Sequence, residues 1–176
     1  MATLPENDLY APRLRFSSRV RQALRETDAP VVVTGASGWI GLVTLEMLAD
    51  ALGTDFERRV VAIASKSRMI ALRDGFAVRL TTLAECATRP LQPGPLVAHY
   101  AFLTREKAAD RTLESYVEAN RAIIRDVGDF CRAHRAAGLV ETSSGAVFSR
   151  MRLRLVASVR SPWYRNSRPP ASCGSR

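Results

Sequence analysis

Gly35, Gly38 and Gly41 recur at three-residue spacing within Val31-Val32-Val33-Thr34-Gly35-Ala36-Ser37-Gly38-Trp39-Ile40-Gly41, where a β-branched run meets the start of a helical pattern. Glycines at such a junction suit one task, the presentation of backbone N–H groups to an anion. Gly35 permits a tight turn off the strand, Gly38 lets amides approach a pyrophosphate, and Gly41 allows the following helix to pack closely on the sheet. The first N–H groups of that helix lack intrahelical partners and lie at its positive dipole end, so Gly35, Ser37, Gly38, Trp39, Ile40 and Gly41 are the candidate phosphate contacts. A P-loop is excluded, because no Gly-Lys-Ser/Thr follows.

The elements around this loop follow from pattern. Short apolar runs read as strands at Val31 to Thr34, Arg59 to Ala64, Phe76 to Leu80, Leu96 to Leu103 and Leu139 to Ser143, and they alternate with helical stretches. That alternation predicts an α/β fold with a doubly wound parallel sheet. In the first crossover helix Ile40, Val43, Met47 and Ala51, with Leu48 and Leu52 beside them, form the expected apolar face, and Gly53 supplies the stop. The longest helix is predicted from about Arg105 to His134, with the stripe Leu113, Val117, Asn120, Ile124, Val127, Cys131, His134 and the flanking residues Tyr116, Ile123 and Phe130. Residues 1–30 read as an irregular arm with one short amphipathic helix around Ser17 to Thr27, residues 31–148 as the nucleotide-binding domain, and 149–176 as a basic tail.

The segment TGASGWIG resembles the TGxxGxxG of the extended short-chain dehydrogenase/reductase superfamily, which includes the NAD-dependent epimerases and dehydratases. Three further segments agree in order: His99-Tyr100-Ala101 is similar to that family's His-x-Ala, Asn120 to the Asn of its next long helix, and Thr142-Ser143-Ser144-Gly145-Ala146-Val147-Phe148 to its Ser-Ser-x-x-x-Val-Tyr segment. The resemblance covers residues 31–148. It implies a Rossmann-type sheet, a nicotinamide dinucleotide held by the glycine loop with Ala101, Asn120 and Thr142, and an oxidoreductase acting on a nucleotide sugar or another secondary alcohol.

At the end of the second strand a carboxylate would bond the adenine-ribose hydroxyls, whereas a basic residue would accommodate a 2′-phosphate. Ala64-Ser65-Lys66-Ser67-Arg68 offers no carboxylate there. Ser65, Lys66 and Arg68 therefore predict a preference for NADP over NAD, since two cations and hydroxyls suit a dianion. The alternative reading makes Lys66 and Arg68 solvated residues at the start of a helix.

The resemblance implies a Ser, a Tyr and a Lys four residues after the Tyr for hydride transfer. That spacing puts phenol and ammonium on one helix face, where the cation depresses the phenol pKa. Ser144 matches the first role. The lysines are Lys66 and Lys107, and the residues four after Tyr10, Tyr100, Tyr116 and Tyr164 are Leu14, Thr104, Asn120 and Arg168. Tyr164 and Arg168 are a poor substitute, because Pro169 disfavours helix at Arg168 and a guanidinium is not a compact ammonium. The expectation is a dinucleotide-binding domain that is truncated after its fifth strand and catalytically impaired. A non-catalytic regulatory module is the alternative.

Composition sets the outer bounds. In 176 residues, 26 basic against 17 acidic groups give a net charge of +9, yet seven arginines and no acid fall within 149–176, leaving 1–148 almost neutral. Arginine-mediated nucleic-acid binding is thus confined to the tail, and is the weaker reading against a sequence foreign to the sheet. No apolar run reaches the length of a membrane helix, and Pro5, Glu6 and Asp8 do not suit an export signal. Cys86, Cys131 and Cys173 form no Cys-x-x-Cys pair and predict neither a disulfide framework nor a zinc site. A cytoplasmic protein, able to form a homo-oligomer, is the expectation.

Overall fold

The computed structural model describes residues 13–73, 75–88, 91–104 and 108–142. Its elements are α1 (Ser18–Arg25), β1 (Val31–Thr34), α2 (Trp39–Leu52), α3 (Phe56–Arg59), β2 (Val60–Ile63), β3 (Arg68–Ala71), β4 (Ala77–Thr81), α4 (Leu83–Ala87), β5 (Leu96–His99), α5 (Leu113–Ala133) and β6 (Gly138–Glu141). The six strands form one sheet in the order β3-β4-β2-β1-β5-β6. Every pair is parallel except β3 with β4, which is antiparallel.

β1 lies inside the sheet and all four of its residues are buried, as its uninterrupted apolar sequence requires of a parallel strand covered on both faces. Val31 and Val33 point into one cluster with Leu45, Leu48 and Leu52 of α2, Leu24 of α1 and Phe56 of α3. Val32 points the other way, toward Ile63, Val97, Cys86 of α4, and Val127 and Phe130 of α5. Helices thus flank the sheet on both sides. No helix among the described residues is long and apolar enough to cross a membrane.

The arm is tied down by arginine. Ser17 caps α1, its hydroxyl accepting from the Val20 amide at 3.4 Å. Arg15 and Arg21 reach Asp50 of α2 at 3.5 and 3.9 Å, and Arg25 Nε donates to the Ala51 carbonyl at 2.9 Å. Arg59, only 2% exposed, donates to the carbonyls of Leu24 at 2.8 Å and Ala29 at 3.0 Å.

Several boundaries and faces depart from the sequence reading. The fourth predicted strand stops at His99 rather than Leu103, because beyond it the chain bends past the glycine loop. The longest helix begins at Leu113, not Arg105: the Thr112 hydroxyl accepts from the Ser115 amide and fixes the start. Leu113 and Ile124, predicted to be apolar-face positions of that helix, are 73% and 52% exposed. The rest of that face, Tyr116, Val117, Asn120, Ile123, Val127 and Phe130, is buried or half-buried as expected. In α2 the buried positions are Gly41, Leu45, Leu48, Ala49, Ala51 and Leu52, so Ile40, Val43 and Met47 lie off the core. β3 was not predicted at all, and Arg68 opens a strand rather than a helix.

Candidate functional site

The glycine loop leaves the carboxyl end of β1 and is clamped from two sides. Gly35 has φ +69°, and a Cβ there would lie 2.7 Å from the Ala101 nitrogen and the Tyr100 carbonyl carbon. Only glycine satisfies both the left-handed backbone and that contact with the β5 exit. The Ala36 amide donates to the Ile63 carbonyl at 3.0 Å, joining the loop to the end of β2. The Gly38 amide turns back to the Gly35 carbonyl at 2.9 Å.

Gly38 is the N-cap of α2, in extended conformation and without a side-chain cap. The amides of Trp39, Ile40 and Gly41 therefore begin the helix with no intrahelical partner. Gly41 is needed for a reason the sequence did not disclose. A Cβ on it would stand 2.3 Å from the Gly35 carbonyl oxygen and 2.7 Å from the Ala36 Cα, so α2 packs here on the loop itself rather than on the sheet. Ser37, Gly38, Trp39 and Ile40 are exposed, with Trp39 at 79%. Phe102, just past the Tyr100–Ala101 peptide, is 61% exposed on the same carboxyl edge.

The neighbouring strand ends bring the other predicted residues to this edge. Thr34 and Ile63 are register partners, so Ser65 and Lys66 follow β2 directly beside the loop, and both are exposed. Arg68 is exposed as the first residue of β3. Residues 64–68 themselves hold no carboxylate, but the fold supplies one. Glu85 of α4 accepts hydrogen bonds from the Ser67 hydroxyl and from the Thr82 amide, and these bonds hold its carboxyl below the usual range. The capping box between Thr82 and Glu85 is the local signal for that placement.

Asn120 serves the backbone. Its Oδ1 accepts from the Leu103 amide at 2.8 Å, and its Nδ2 donates to the carbonyls of Leu103 and Tyr116 at 3.3 and 3.1 Å. The carboxamide thus fixes the segment after Ala101 instead of projecting from the edge. Thr142, past the end of β6, binds back to the His99 carbonyl through its amide at 3.3 Å and its hydroxyl at 3.4 Å. Ser144, like Tyr164 and Arg168, lies outside the described residues.

One polar pair at the site joins two residues that the sequence placed in separate motifs, Thr34 in TGASGWIG and His99 in His99-Tyr100-Ala101, without foreseeing their contact. Thr34 and His99 are register partners on β1 and β5, are 1% and 4% exposed, and meet through Thr34 Oγ1 and His99 Nδ1 at 2.6 Å. Burial pushes the His99 pKa down, against an upward pull from the Glu141 carboxylate. Its sequence signal was a polar residue closing each of two apolar strands. Comparison with known family models, curated proteins and solved structures yields no match for this chain.

Proposed function

We propose that this chain is a Rossmann-type, doubly wound NAD(P)-binding domain, and that the glycine loop holds the dinucleotide's pyrophosphate. The observation carrying the reading is the junction itself: a buried parallel strand, Gly35 in a left-handed turn against Tyr100–Ala101, and a 14-residue helix whose first turn is uncapped by any side chain. Three amides and a helix dipole aimed at an exposed edge suit a diphosphate. Trp39 and Phe102 add apolar surface beside them, which suits the flat rings of a nucleotide. Ser65, Lys66 and Arg68 support NADP over NAD. Glu85 is committed to Ser67 and Thr82, so it does not stand free to take a ribose.

The chemistry on this platform follows from the resemblance to the extended short-chain dehydrogenase/reductases: oxidation and reduction of a nucleotide sugar or other secondary alcohol. A bound nicotinamide would supply the hydride acceptor. The chain's own part, on the residues described, is to bind and orient it. The lack of a Tyr-x-x-x-Lys pair within these 176 residues favours a second reading, a dinucleotide-binding module without turnover of its own.

Gly38→Asp tests the binding reading. Aspartate is a favoured N-cap and accepts from the first-turn amides, while its Cβ would come within 3.3 Å of one atom, the Gly35 carbonyl oxygen. The variant should keep its fold by circular dichroism yet lose at least tenfold in NADPH affinity, because its carboxylate occupies and repels the anion's place. Unchanged NADPH affinity, or no NADPH or NADH binding by the parent protein, rejects the assignment.

A further inference from the structure

We infer that His99 is a positioning residue for the glycine loop: as a neutral imidazole it holds Thr34 against β5 and so seats Gly35 on the Tyr100–Ala101 peptide, and on protonation it releases that seat. Geometry places the pair where it can act. Thr34 immediately precedes Gly35 and His99 immediately precedes Tyr100, so the 2.6 Å side-chain bond lies directly beneath the close backbone contact. The Tyr100 amide donating to the Thr34 carbonyl at 3.1 Å completes the same bridge. His99 also carries both hydrogen bonds from Thr142 on its carbonyl, so three strand ends converge on one residue.

We assign the neutral ring the Nε2–H tautomer, in which Nδ1 accepts from the Thr34 hydroxyl. Protonation makes Nδ1 a donor, and the threonine must then turn its hydrogen elsewhere in a space it fills at 1% exposure. A cation there is also poorly solvated. Among the described residues, Glu141 of β6, in register with His99, is the charge acting on the ring. It is exposed, so it attenuates that cost rather than removing it. β1 presents only the Thr34 hydroxyl. On the same face α5 turns Tyr116 and Asn120 inward while Glu114, Glu118, Asp126 and Asp129 stay exposed, and Cys131 and His134 lie at its far end.

The direction of the pH effect follows by linkage. A histidine whose pKa is depressed in the closed state and ordinary, near 6.5, in the released state leaves the closed loop stable at neutral pH. Below pH 6.5 the released state binds more protons, and stability of the closed form falls until the closed-state pKa is reached.

The test is amide hydrogen exchange of residues 33–41 in the full chain, corrected for intrinsic rates, from pH 7.5 to 4.5. Protection should fall about tenfold per pH unit below 6.5 until the closed-state histidine titrates, while amides of Val32 and Leu80 stay protected. His99→Asn, which keeps a polar group near the Nδ1 position but does not titrate, should show pH-independent loop protection. A flat wild-type profile, the same slope in His99→Asn, or parallel loss at Val32 and Leu80 would each overturn the inference. Should that variant fail to fold, NMR of the wild type decides: the His99 imidazole and the Gly35 amide must share one titration midpoint, and separate midpoints refute the coupling. Only the consequence for affinity rests on the dinucleotide reading. Loop release with no NADPH binding at any pH upholds the latch and removes that reading, whereas NADPH binding with a pH-insensitive loop does the reverse.

Discussion

The guanidinium of Arg59 donates to the Leu24 carbonyl at 2.8 Å, so a cation at the head of β2 closes the last turn of α1. The same group binds Ala29 O through Nε and Nη2 at 3.3 and 3.0 Å. No carboxylate is bonded to it among the described residues, and the partial charge of carbonyls at a helix C-terminus takes that role.

Arg59→Met would leave those carbonyls buried without donors. We expect a loss of about 3 kcal/mol in urea-unfolding free energy, together with faster hydrogen exchange across Ser18–Arg25. Arg59→Lys should recover little, because one ammonium cannot span both carbonyls in the fork geometry of a guanidinium. A variant as stable as the parent would show that the apolar contacts of Leu24 and the contacts of Arg15, Arg21 and Arg25 with α2 hold the arm without Arg59.

Two glycines in helices should respond oppositely to alanine. Gly41→Ala drives a Cβ to 2.3 Å from a backbone oxygen, and with no flexible side chain to yield we expect a loss of about 3 kcal/mol or more, or insoluble protein. Gly128→Ala, in α5, meets only the end of Arg132 at 3.7 Å. It should stabilise by about 0.5–1 kcal/mol through the unfolded chain's lost freedom. Thermal melts of the two variants side by side decide the matter, and equal effects would refute it.

Asn120→Ala removes both bonds to Leu103 in the segment after β5, and the bond to the Tyr116 carbonyl of α5, at once. The expected cost is about 2 kcal/mol, since Leu103 keeps a half-buried amide without a partner. Asn120→Asp, which retains the acceptor for the Leu103 amide, should lose less. If Asn120 acts on the nucleotide through the loop, both variants should raise the NADPH dissociation constant in the order of their stability losses. The opposite order would mean direct contact.

Much of this architecture could be read from residues before any coordinates. β1 is bounded as its four β-branched or apolar residues suggest, and Gly53 ends α2 as expected. What could not be read is tertiary in origin. Periodicity places a stripe on a helix only to within one turn: in α2 Leu48, Ala51 and Leu52 enter the core as expected, but Leu45 joins them in place of Val43 and Met47. Arg68-Met69-Ile70-Ala71 becomes a strand because it pairs with Ala77-Val78-Arg79-Leu80, a relation that its own short and mostly exposed segment does not announce. Glu85 reaches Ser67 across 18 residues of chain, too far for a spacing rule. Among the predicted contacts the loop residues stand together at one edge, whereas Asn120 and Thr142 are spent on backbone groups of β5 and its exit.

The antiparallel β3–β4 hairpin joins residues 6 to 12 positions apart, whereas Thr34 and His99 are 65 apart. Local pairing of the first kind closes in microseconds, and distant parallel pairing must wait on costly loop closure. Folding should therefore begin on the flank and finish at the centre. The cradle for the phosphates is then the last feature to exist, so a chain caught partway through its synthesis or refolding would carry a formed rim with nothing yet to grip.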